Sequence, residues 1–579
     1  MTPIAIQTQP LRSEPAPAQP ATPPLDLDRM VHTQLARLTM GLSPASMAAA
    51  CLDWLGHLAV SPGKQQELVM RAMRGVAEDA STEPQAKDRR FAAPEWKQWP
   101  FNRIAHTFMH HEKWWLDATT GVHGVSAHHE QQAAFMARQI LDMWSPSNFF
   151  WTNPEVLQAT LKSGGANLLK GAQNLWRDRV QPLNDPASNA PRGFEPGRDV
   201  AITPGKVVFR NHMVELIQFT PRTPTVFAEP VLIVPPWIMK FYILDLTPAD
   251  SLVRYLVEHG HTVFIVSWLN PVASDRNLGM DDYLKSGVMA ALDAVGSIVP
   301  KRRIQALGYC LGGTLLSIAA AFMARSGDTR LNSLTLLTAE LDFSEPGDLS
   351  LFIDESQLSV LDDMMADKGY LDGSQMAGSF ALLNARDLLW SRMVSAYLMG
   401  KRAPVSDLAS WNADTTRMPY RQHSEYLREL YRDNDLAQGR YKVDGKSVAL
   451  PDIRLSIFCL GTQRDTVVPW RTAYKIHLLT RCEVTFCLSS GGHNVGVVNP
   501  PGPGVARSFQ LGTHGADDRY MDPDTWLATA PSHDGSWWPA WQTWLAKHSG
   551  KRMAPPPMGN QAGGYPALDD APGSYVHIT

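Results

Sequence analysis

The residues with the clearest chemical meaning form the hexapeptide 308–313, GYCLGG, with Cys310 at its third position. A short apolar run, 304–307, precedes it, and a segment typical of a helix, 314–321, follows it. A sharp glycine turn between a strand and a helix holds its central residue under backbone strain and exposes that side chain as a nucleophile. A cysteine in this place predicts acyl transfer through a thioester. The alternative is a core cysteine beside a tight turn, since free cysteine is often buried.

A cysteine nucleophile needs a base and an acid that orients the base. Asp465 directly follows the apolar run 455–461, which has the pattern of a buried strand. His493 lies in a glycine-rich loop after a second such run, 484–489. Either residue alone is equally well interpreted as a loop residue without a role. The order Cys310, Asp465, His493, each after a strand, favours a catalytic triad.

An acyl-transfer site also needs amides that stabilise an oxyanion. The amide after the nucleophile, that of Leu311, is the first candidate. The second comes from the loop after the apolar strand 231–234, where two prolines precede Trp237 and Ile238. Sequence alone does not distinguish between the amides of this loop. Nucleophile elbow, acid and base in this order predict an α/β-hydrolase fold.

Further motifs are spread over most of the chain. They occupy the segments 234–246, 266–271, 281–283, 411–416, 465–470, 492–501 and 536–541. Together with the hexapeptide, these motifs resemble the polyhydroxyalkanoate synthases. The resemblance implies polymerisation of (R)-3-hydroxyacyl-CoA into polyester with release of CoA, through an acyl group on Cys310, with Asp465 as acid and His493 as base. CoA is then part of the substrate, and we expect no cofactor and no metal.

Two other functions remain open at this stage. One is a thioesterase or polyester depolymerase on the same fold, which would release free acid. The other is a non-catalytic protein of the granule surface, against which the complete set of Cys310, Asp465 and His493 argues. The preferred acyl length stays undecided, because the hexapeptide resembles short-chain synthases and the segment 566–575 resembles medium-chain ones.

The amino-acid composition excludes several classes of protein. The chain has 579 residues, 44% of them hydrophobic and 19% charged, with a net charge of −4. This balance is typical of globular proteins and argues against a nucleic-acid partner. Five scattered cysteines and the absence of an 18-residue apolar run predict a cytoplasmic protein without a transmembrane segment. The resemblance adds an expected homodimer at polyester granules, with granule-associated proteins as further partners.

The pattern along the chain divides it into four parts. Residues 1–25 are rich in proline and alanine and predict a disordered tail. Residues 26–200 show helical periodicity and predict a helical N-terminal domain. From 201 to 552, alternating strands and helices predict the catalytic α/β domain, with a helical cap inserted at about 340–450. Residues 553–579 are rich in proline and glycine and predict a flexible tail.

Overall fold

The computed structural model describes residues 26–39, 41–77, 88–184, 193–373, 375, 385–402, 404–502 and 507–579. The predicted tail at 1–25 lies outside the described residues. The described chain begins with seven helices before the first strand of the sheet. These are α1 (Asp26–Leu38), α2 (Pro44–Ala59), α3 (Pro62–Ala77), α4 (Phe101–Thr119), α5 (Ala127–Met143), α6 (Pro154–Ser163) and α7 (Ala166–Asn184).

One ten-stranded sheet forms the centre of the remaining chain, as the alternating apolar runs predict. Its strands are β1 (Gly205–Arg210), β2 (Val214–Phe219), β3 (Val231–Val234), β4 (Val263–Trp268), β5 (Ile304–Tyr309), β6 (Leu331–Leu337), β11 (Ser456–Thr462), β12 (Val484–Ser489), β13 (Ser508–His514) and β14 (Ser532–Asp534). Their spatial order is β1-β2-β4-β3-β5-β6-β11-β12-β13-β14. The six strands from β4 to β12 are parallel, and antiparallel pairs extend the sheet at both edges. The carboxyl ends of the parallel strands therefore meet at one edge.

Helices cover both faces of this sheet, because the parallel strands are apolar on both sides. On one face lie α9 (Met280–Asp282), which continues through a π-helical turn into α10 (Ala290–Ile298), and α11 (Leu311–Ser326). On the other lie α8 (Leu252–Glu258) and α19 (Trp538–Lys547), which together with its N-cap residue buries four tryptophans. Three short helices connect the last four strands. Two of them follow β11, α16 (Trp470–Tyr474) and α17 (Ile476–Leu479), and the third follows β13, α18 (Pro523–Thr529). Parallel sheet and covering helices together confirm the predicted α/β-hydrolase fold.

The predicted cap occupies the chain between β6 and β11. It contains α12 (Glu355–Lys368), α13 (Ser391–Met393), α14 (Asp407–Ala413), α15 (Tyr420–Glu425) and the two-residue strands β7 (Tyr370–Leu371), β8 (Met418–Pro419), β9 (Lys442–Val443) and β10 (Lys446–Ser447). π-helical turns extend several of these helices, and the one at Tyr426–Arg432 continues α15 toward the sheet.

The N-terminal helices pack against the cap. The Ser43 amide donates to the Gln357 side chain at 2.8 Å, and that side chain donates back to the Gly41 carbonyl at 2.6 Å. Asn174 in α7 donates to the Ala396 carbonyl at 2.9 Å. The helical region therefore supports the insertion that covers the carboxyl edge of the sheet.

The C-terminal segment 553–579 departs from the prediction of a flexible tail. It pairs with β1, where the Val207 amide donates to the Asp569 carbonyl at 2.9 Å. The buried Glu215 carboxylate accepts hydrogen bonds from the Ser574 amide and hydroxyl, at 2.9 and 2.7 Å. Val576 is buried. The prediction was wrong because β1 is an edge strand, and its unpaired backbone groups bind even a proline-rich segment.

Candidate active site

Cys310 lies at the turn between the last residue of β5 and the first residue of α11. Its φ of 52° and ψ of −126° place a non-glycine residue in a sparsely populated region, which costs about 1–3 kcal/mol. Two backbone bonds hold the turn: the Cys310 amide donates to the Leu337 carbonyl at 2.9 Å, and its carbonyl accepts from the Gly313 amide at 2.8 Å. The turn presents a half-buried thiol at the carboxyl edge of the sheet.

The glycines of the hexapeptide are required by close contacts. A Cβ on Gly308 would overlap the backbone of Gly313, and one on Gly313 would overlap the side chain of Ala339. A Cβ on Gly312 would overlap the carbonyl oxygen of Val234, at the end of β3. Only glycine at these positions lets α11 start directly against the ends of β3 and β6.

Asp465 and His493 meet at the same edge of the sheet. Asp465 follows β11, and its Oδ2 lies 2.8 Å from Nδ1 of His493, which follows β12. The other oxygen, Oδ1, accepts from the amides of Val467 and Val468 at 2.9 Å each. Thr462 donates to Oδ2 at 3.2 Å. These bonds fix a fully buried carboxylate in the orientation that holds the imidazole.

His493 also forms a hydrogen bond with Cys310. Since Nδ1 faces Asp465, Nε2 is the ring nitrogen left for the thiol. Burial lowers the pKa of His493, but the charges and hydrogen bonds of Asp465 and Cys310 outweigh burial and raise this pKa to about 10. The raised pKa lets this imidazole act as a base toward a neighbouring acidic group.

The predicted oxyanion amides lie near this thiol. Leu311 is the first residue of α11, so its N–H has no acceptor within the helix. The loop after β3 touches the same helix start through Val234 and Gly312. Thr416 fixes this loop by donating to the Trp237 carbonyl at 2.6 Å. This placement is consistent with amides of Leu311 and of Trp237 or Ile238 as donors, and the choice within the loop stays a prediction.

Several residues of the site were missed by sequence reasoning. Tyr309 donates to Asn494 Oδ1 at 2.7 Å, and its ring lies 5.8 Å from that of His493. This contact holds the loop of His493 against the end of β5, the strand that precedes Cys310. Glu340 follows β6 and is buried close enough to Cys310 for their charges to interact. Its position just beyond a buried parallel strand was the signal that could have revealed it.

Four buried aromatic side chains pack together near the thiol. The rings of Tyr283 and Tyr426 lie 5.6 and 5.9 Å from that of Trp237, and Tyr431 lies 5.3 Å from Tyr426. The charge of Cys310 affects the pKa values of both Tyr426 and Tyr431. The cap and the loops of the sheet therefore place a cluster of aromatic side chains, called the aromatic chamber below, close to Cys310.

Within the described ranges, no group of three or more His, Cys, Asp or Glu side chains is arranged to hold a metal ion. In the same part of the chain, no helix combines the length and apolarity needed to cross a bilayer.

Family models match three parts of the chain. Residues 22–64 match the N-terminal model of poly-beta-hydroxybutyrate polymerase, and residues 87–256 match a second model described as the N-terminus of poly-beta-hydroxybutyrate polymerase (PhaC). Residues 229–500 match the model of the alpha/beta hydrolase fold. The last match spans every strand end that carries Cys310, Asp465 and His493.

Curated relatives are similar over most of their length. A poly(3-hydroxyalkanoate) polymerase of Methylorubrum extorquens is 39% identical over 515 residues, which cover 87% of this chain and 83% of that protein. The poly(3-hydroxyalkanoate) polymerase subunit PhaC of Cupriavidus necator is 36% identical and covers 98% of this chain and 97% of its own length. Poly(3-hydroxyalkanoate) polymerase 1 of Ectopseudomonas oleovorans is 35% identical over 86% of this chain and 88% of its own length.

Proposed function

The chain belongs to the poly(3-hydroxyalkanoate) polymerase family, and we propose that it polymerises (R)-3-hydroxyacyl-CoA with release of CoA. It is an acyltransferase by its family. The observation that carries the finer proposal is a strained cysteine, Cys310, hydrogen-bonded to a histidine that Asp465 orients. CoA enters as part of the substrate, and the proposed reaction uses no further cofactor.

The first half of the reaction transfers the acyl group to the enzyme. His493 takes the proton of Cys310, and the thiolate attacks the thioester carbonyl of the acyl-CoA. The amide of Leu311 and one amide of the loop at Trp237 and Ile238 stabilise the oxyanion. The bond between the carbonyl carbon and the CoA sulfur breaks, and His493 returns its proton to the leaving CoA thiolate. One thioester replaces another, so the step is nearly balanced in free energy.

The second half extends the chain. His493, oriented by Asp465, removes the proton of the 3-hydroxyl group of an incoming unit. The hydroxyl oxygen attacks the acyl carbon on Cys310, an ester bond forms, and the carbon–sulfur bond of the acyl-enzyme breaks. Cys310 leaves as a thiolate and recovers the proton held by His493. The lengthened chain, now attached to the CoA of the incoming unit, acylates Cys310 again as in the first half and releases that CoA. Because the same imidazole serves both halves, removing it should slow acylation and elongation together.

Polymerisation requires that water does not compete with the hydroxyl group. The chamber of Trp237, Tyr283, Tyr426 and Tyr431 offers apolar walls beside the acyl-enzyme. The cap that provides Tyr426 and Tyr431 lies over the carboxyl edge of the sheet, where movement would admit substrate.

The test separates polymerase from thioesterase. The purified chain is mixed with a short-chain and a medium-chain 3-hydroxyacyl-CoA, and both free CoA and the acyl product are measured. We expect CoA release with polymer as the main product of at least one substrate. Stoichiometric free 3-hydroxy acid with no polymer would instead make the chain a thioesterase.

At the scale of the assembly, we propose a homodimer that works at the surface of cytoplasmic polyester granules. Exposed tryptophans on the N-terminal region support an apolar contact surface: Trp99, Trp151 and Trp176 are 81%, 80% and 68% exposed. Light scattering of the purified chain before and after addition of substrate tests this. Persistent monomers that never associate with polymer would contradict it.

A further inference from the structure

Glu340 is a buried carboxyl group without a role in the mechanism above. It lies three residues beyond the end of β6, and Cys310 donates its amide hydrogen bond to the last residue of that strand, Leu337. The first turn of α11 holds its backbone, because Thr314 Oγ1 donates to the Glu340 carbonyl at 2.8 Å. Only 3% of Glu340 is exposed.

The side chain of Glu340 lacks the partners that a buried carboxyl group normally has. Its Oε1 is buried and makes no hydrogen bond within the described chain. Asp245 is equally buried, but the hydroxyl groups of Thr203 and Ser251 both donate to its Oδ1, at 2.5 and 2.6 Å. An unpaired polar atom in an apolar interior is destabilising, so it indicates a missing partner.

The surroundings of Glu340 identify where that partner would lie. Its charge interacts with those of Cys310 and Asp465, and also affects the pKa values of Tyr426 and Tyr431 in the aromatic chamber. Glu340 therefore lies near the thiol and the aromatic chamber. In the same chamber, Trp237 has a buried Nε1 that is likewise unpaired among the described residues.

Burial raises the pKa of Glu340 well above its ordinary value, and the negative charges of Cys310, Asp342 and Asp465 act in the same direction. Both effects favour the neutral carboxylic acid over the carboxylate at this position. A neutral carboxyl group both donates and accepts a hydrogen bond, whereas a carboxylate only accepts.

We propose that Glu340 binds the 3-oxygen of the 3-hydroxyacyl group on Cys310, an inference that rests on the proposed function. The 3-oxygen lies two carbon atoms beyond the carbonyl carbon attached to Sγ, so a side chain next to the thiol can reach it. Before elongation this oxygen is a hydroxyl group, and afterwards it belongs to an ester and only accepts. A protonated carboxyl group suits both states.

Such a contact makes Glu340 a determinant of specificity. A site built to pair with a hydroxyl group discriminates against an analogue without it, because its own polar group is then left unpaired. Butyryl-CoA is that analogue of 3-hydroxybutyryl-CoA, and its acyl group still contains the thioester needed to acylate Cys310.

The test measures first-turnover acylation of Cys310 with both substrates, by rapid quench and mass spectrometry. We expect the unmodified chain to prefer the hydroxylated substrate by at least about tenfold, the range of one or two hydrogen bonds. Glu340→Leu and Glu340→Met should slow acylation by 3-hydroxybutyryl-CoA by about 10- to 100-fold, while leaving butyryl-CoA within about twofold. Glu340→Gln keeps a donor and an acceptor and should retain most of the preference.

Asp245→Asn is the matched control, since it alters a buried carboxyl group away from the nucleophile and should leave the preference unchanged. If the Leu and Met variants slow both substrates equally, or retain the full preference, the proposal is overturned. If the unmodified chain is acylated by neither substrate, the proposed function itself fails. Because Glu340→Gln is expected to keep most of the preference, it shows that a substitution at this position can still give a folded protein. Circular dichroism checks the folding of each variant.

Discussion

At the scale of single residues, the site is defined by how each reactive group is held. The strain at Cys310 is maintained by bonds to the neighbouring strand and to the first turn of the helix. Asp465 has four hydrogen-bond partners, and His493 stands between that carboxylate and the thiol. The proposed nucleophile, base and acid are therefore held by separate elements of the fold. Replacing each of them should have a different effect.

Replacing the nucleophile should remove activity without unfolding the chain. Cys310→Ala should lower CoA release by about 10⁴-fold or more, because no other thiol lies in a strained turn within the described chain. Cys459→Ala is the matched control. Burial raises the pKa of the Cys459 thiol to about 12, so this thiol is inert, and its variant should keep activity within a few-fold. A Cys310→Ala protein with a tenth of normal turnover would exclude Cys310 as the nucleophile.

Replacing the acid should change the pH at which the base loses its proton. The negative charge of Asp465 favours the imidazolium form of His493, which is thus retained above the ordinary pKa of 6.5 and lost as the pH rises toward about 10. Asp465→Asn removes that charge, so the pKa of His493 should fall toward its ordinary value. NMR titration of ¹³C-labelled histidine, assigned with His493→Ala, measures it.

His423 is the control in the same spectra. Burial lowers its pKa to about 4, so its signal should stay that of a neutral ring from pH 6 to 10 in both proteins. In serine triads the same Asp-to-Asn change costs about 10⁴ in rate, and we expect less here because a thiol is more acidic. An unchanged His493 titration would show that Asp465 does not act on this ring.

At the scale of elements, the site depends on how closely α11 approaches the strands beside it. The helix begins where β3 and β6 end, and that contact brings the Leu311 amide, the loop after β3 and Glu340 around one thiol. The glycine turn at Cys310 is thus required for packing as well as for chemistry. Enlarging a single side chain in this turn tests the packing requirement.

Gly312→Ala should destabilise the chain and reduce activity together. The added Cβ would overlap the Val234 carbonyl oxygen, and such overpacking costs about 1–3 kcal/mol or more. Gly296→Ala, in α10, is the matched control because no atom lies within 4 Å of its added Cβ and alanine is the better helix former. Thermal unfolding and CoA release measure both. Equal behaviour of the two variants would refute the close approach at Gly312.

The strands that end at the site were predictable from sequence because they are uninterrupted apolar runs. The runs containing 304–307, 455–461 and 484–489 match β5, β11 and β12 closely, so the order of Cys310, Asp465 and His493 followed directly. Their meeting at hydrogen-bond distance depends on register and twist across several strands, which a local pattern does not specify.

Other parts of the fold were less predictable from local sequence patterns. β13 has mostly half-exposed side chains, so it lacks the continuous apolar run of the central strands. The final segment is rich in proline and glycine, and its order comes from β1 rather than from its own propensity. Glu340 does have a local signal, its position just beyond a buried parallel strand, but polar turn residues share that position, and its burial near Cys310 is seen only in the structure.

At the scale of the whole molecule, both ends of the described chain support the site from outside the sheet. The N-terminal helices bind the cap, and the final residues reach the loop after β3. Lys240 in that loop is buried, and its Nζ donates to the Ile578 carbonyl at 2.6 Å. Burial lowers the pKa of Lys240 to about 8. Hydrogen-bond acceptors such as this carbonyl group therefore help to keep the amine protonated. The C-terminal segment thereby connects the sheet edge to the candidate oxyanion loop.

Deleting residues 574–579 should destabilise the protein. Glu215 would lose the donors at Ser574 and Tyr575, and Lys240 would lose its carbonyl partner. Glu215 would still bind Arg210, but Lys240 would be buried without a hydrogen-bond partner in the described part of the chain. A buried polar group left unpaired costs about 1–3 kcal/mol, so the thermal midpoint should fall by several degrees. Asp570→Ala is the control, since Asp570 pairs with Lys206 at the exposed surface and should contribute little. An unchanged midpoint after the deletion would show that the tail contacts are dispensable.

The most direct test of the central claim is identification of the atom that carries the growing chain. The protein is mixed with a small excess of 3-hydroxybutyryl-CoA, quenched in acid during the first turnovers and digested, and its peptides are analysed by mass spectrometry. We predict 3-hydroxybutyryl groups and short oligomers in thioester linkage on Cys310, sensitive to hydroxylamine, with an equivalent amount of free CoA. Acyl groups on another residue, or CoA release with free acid and no adduct at Cys310, would contradict the account.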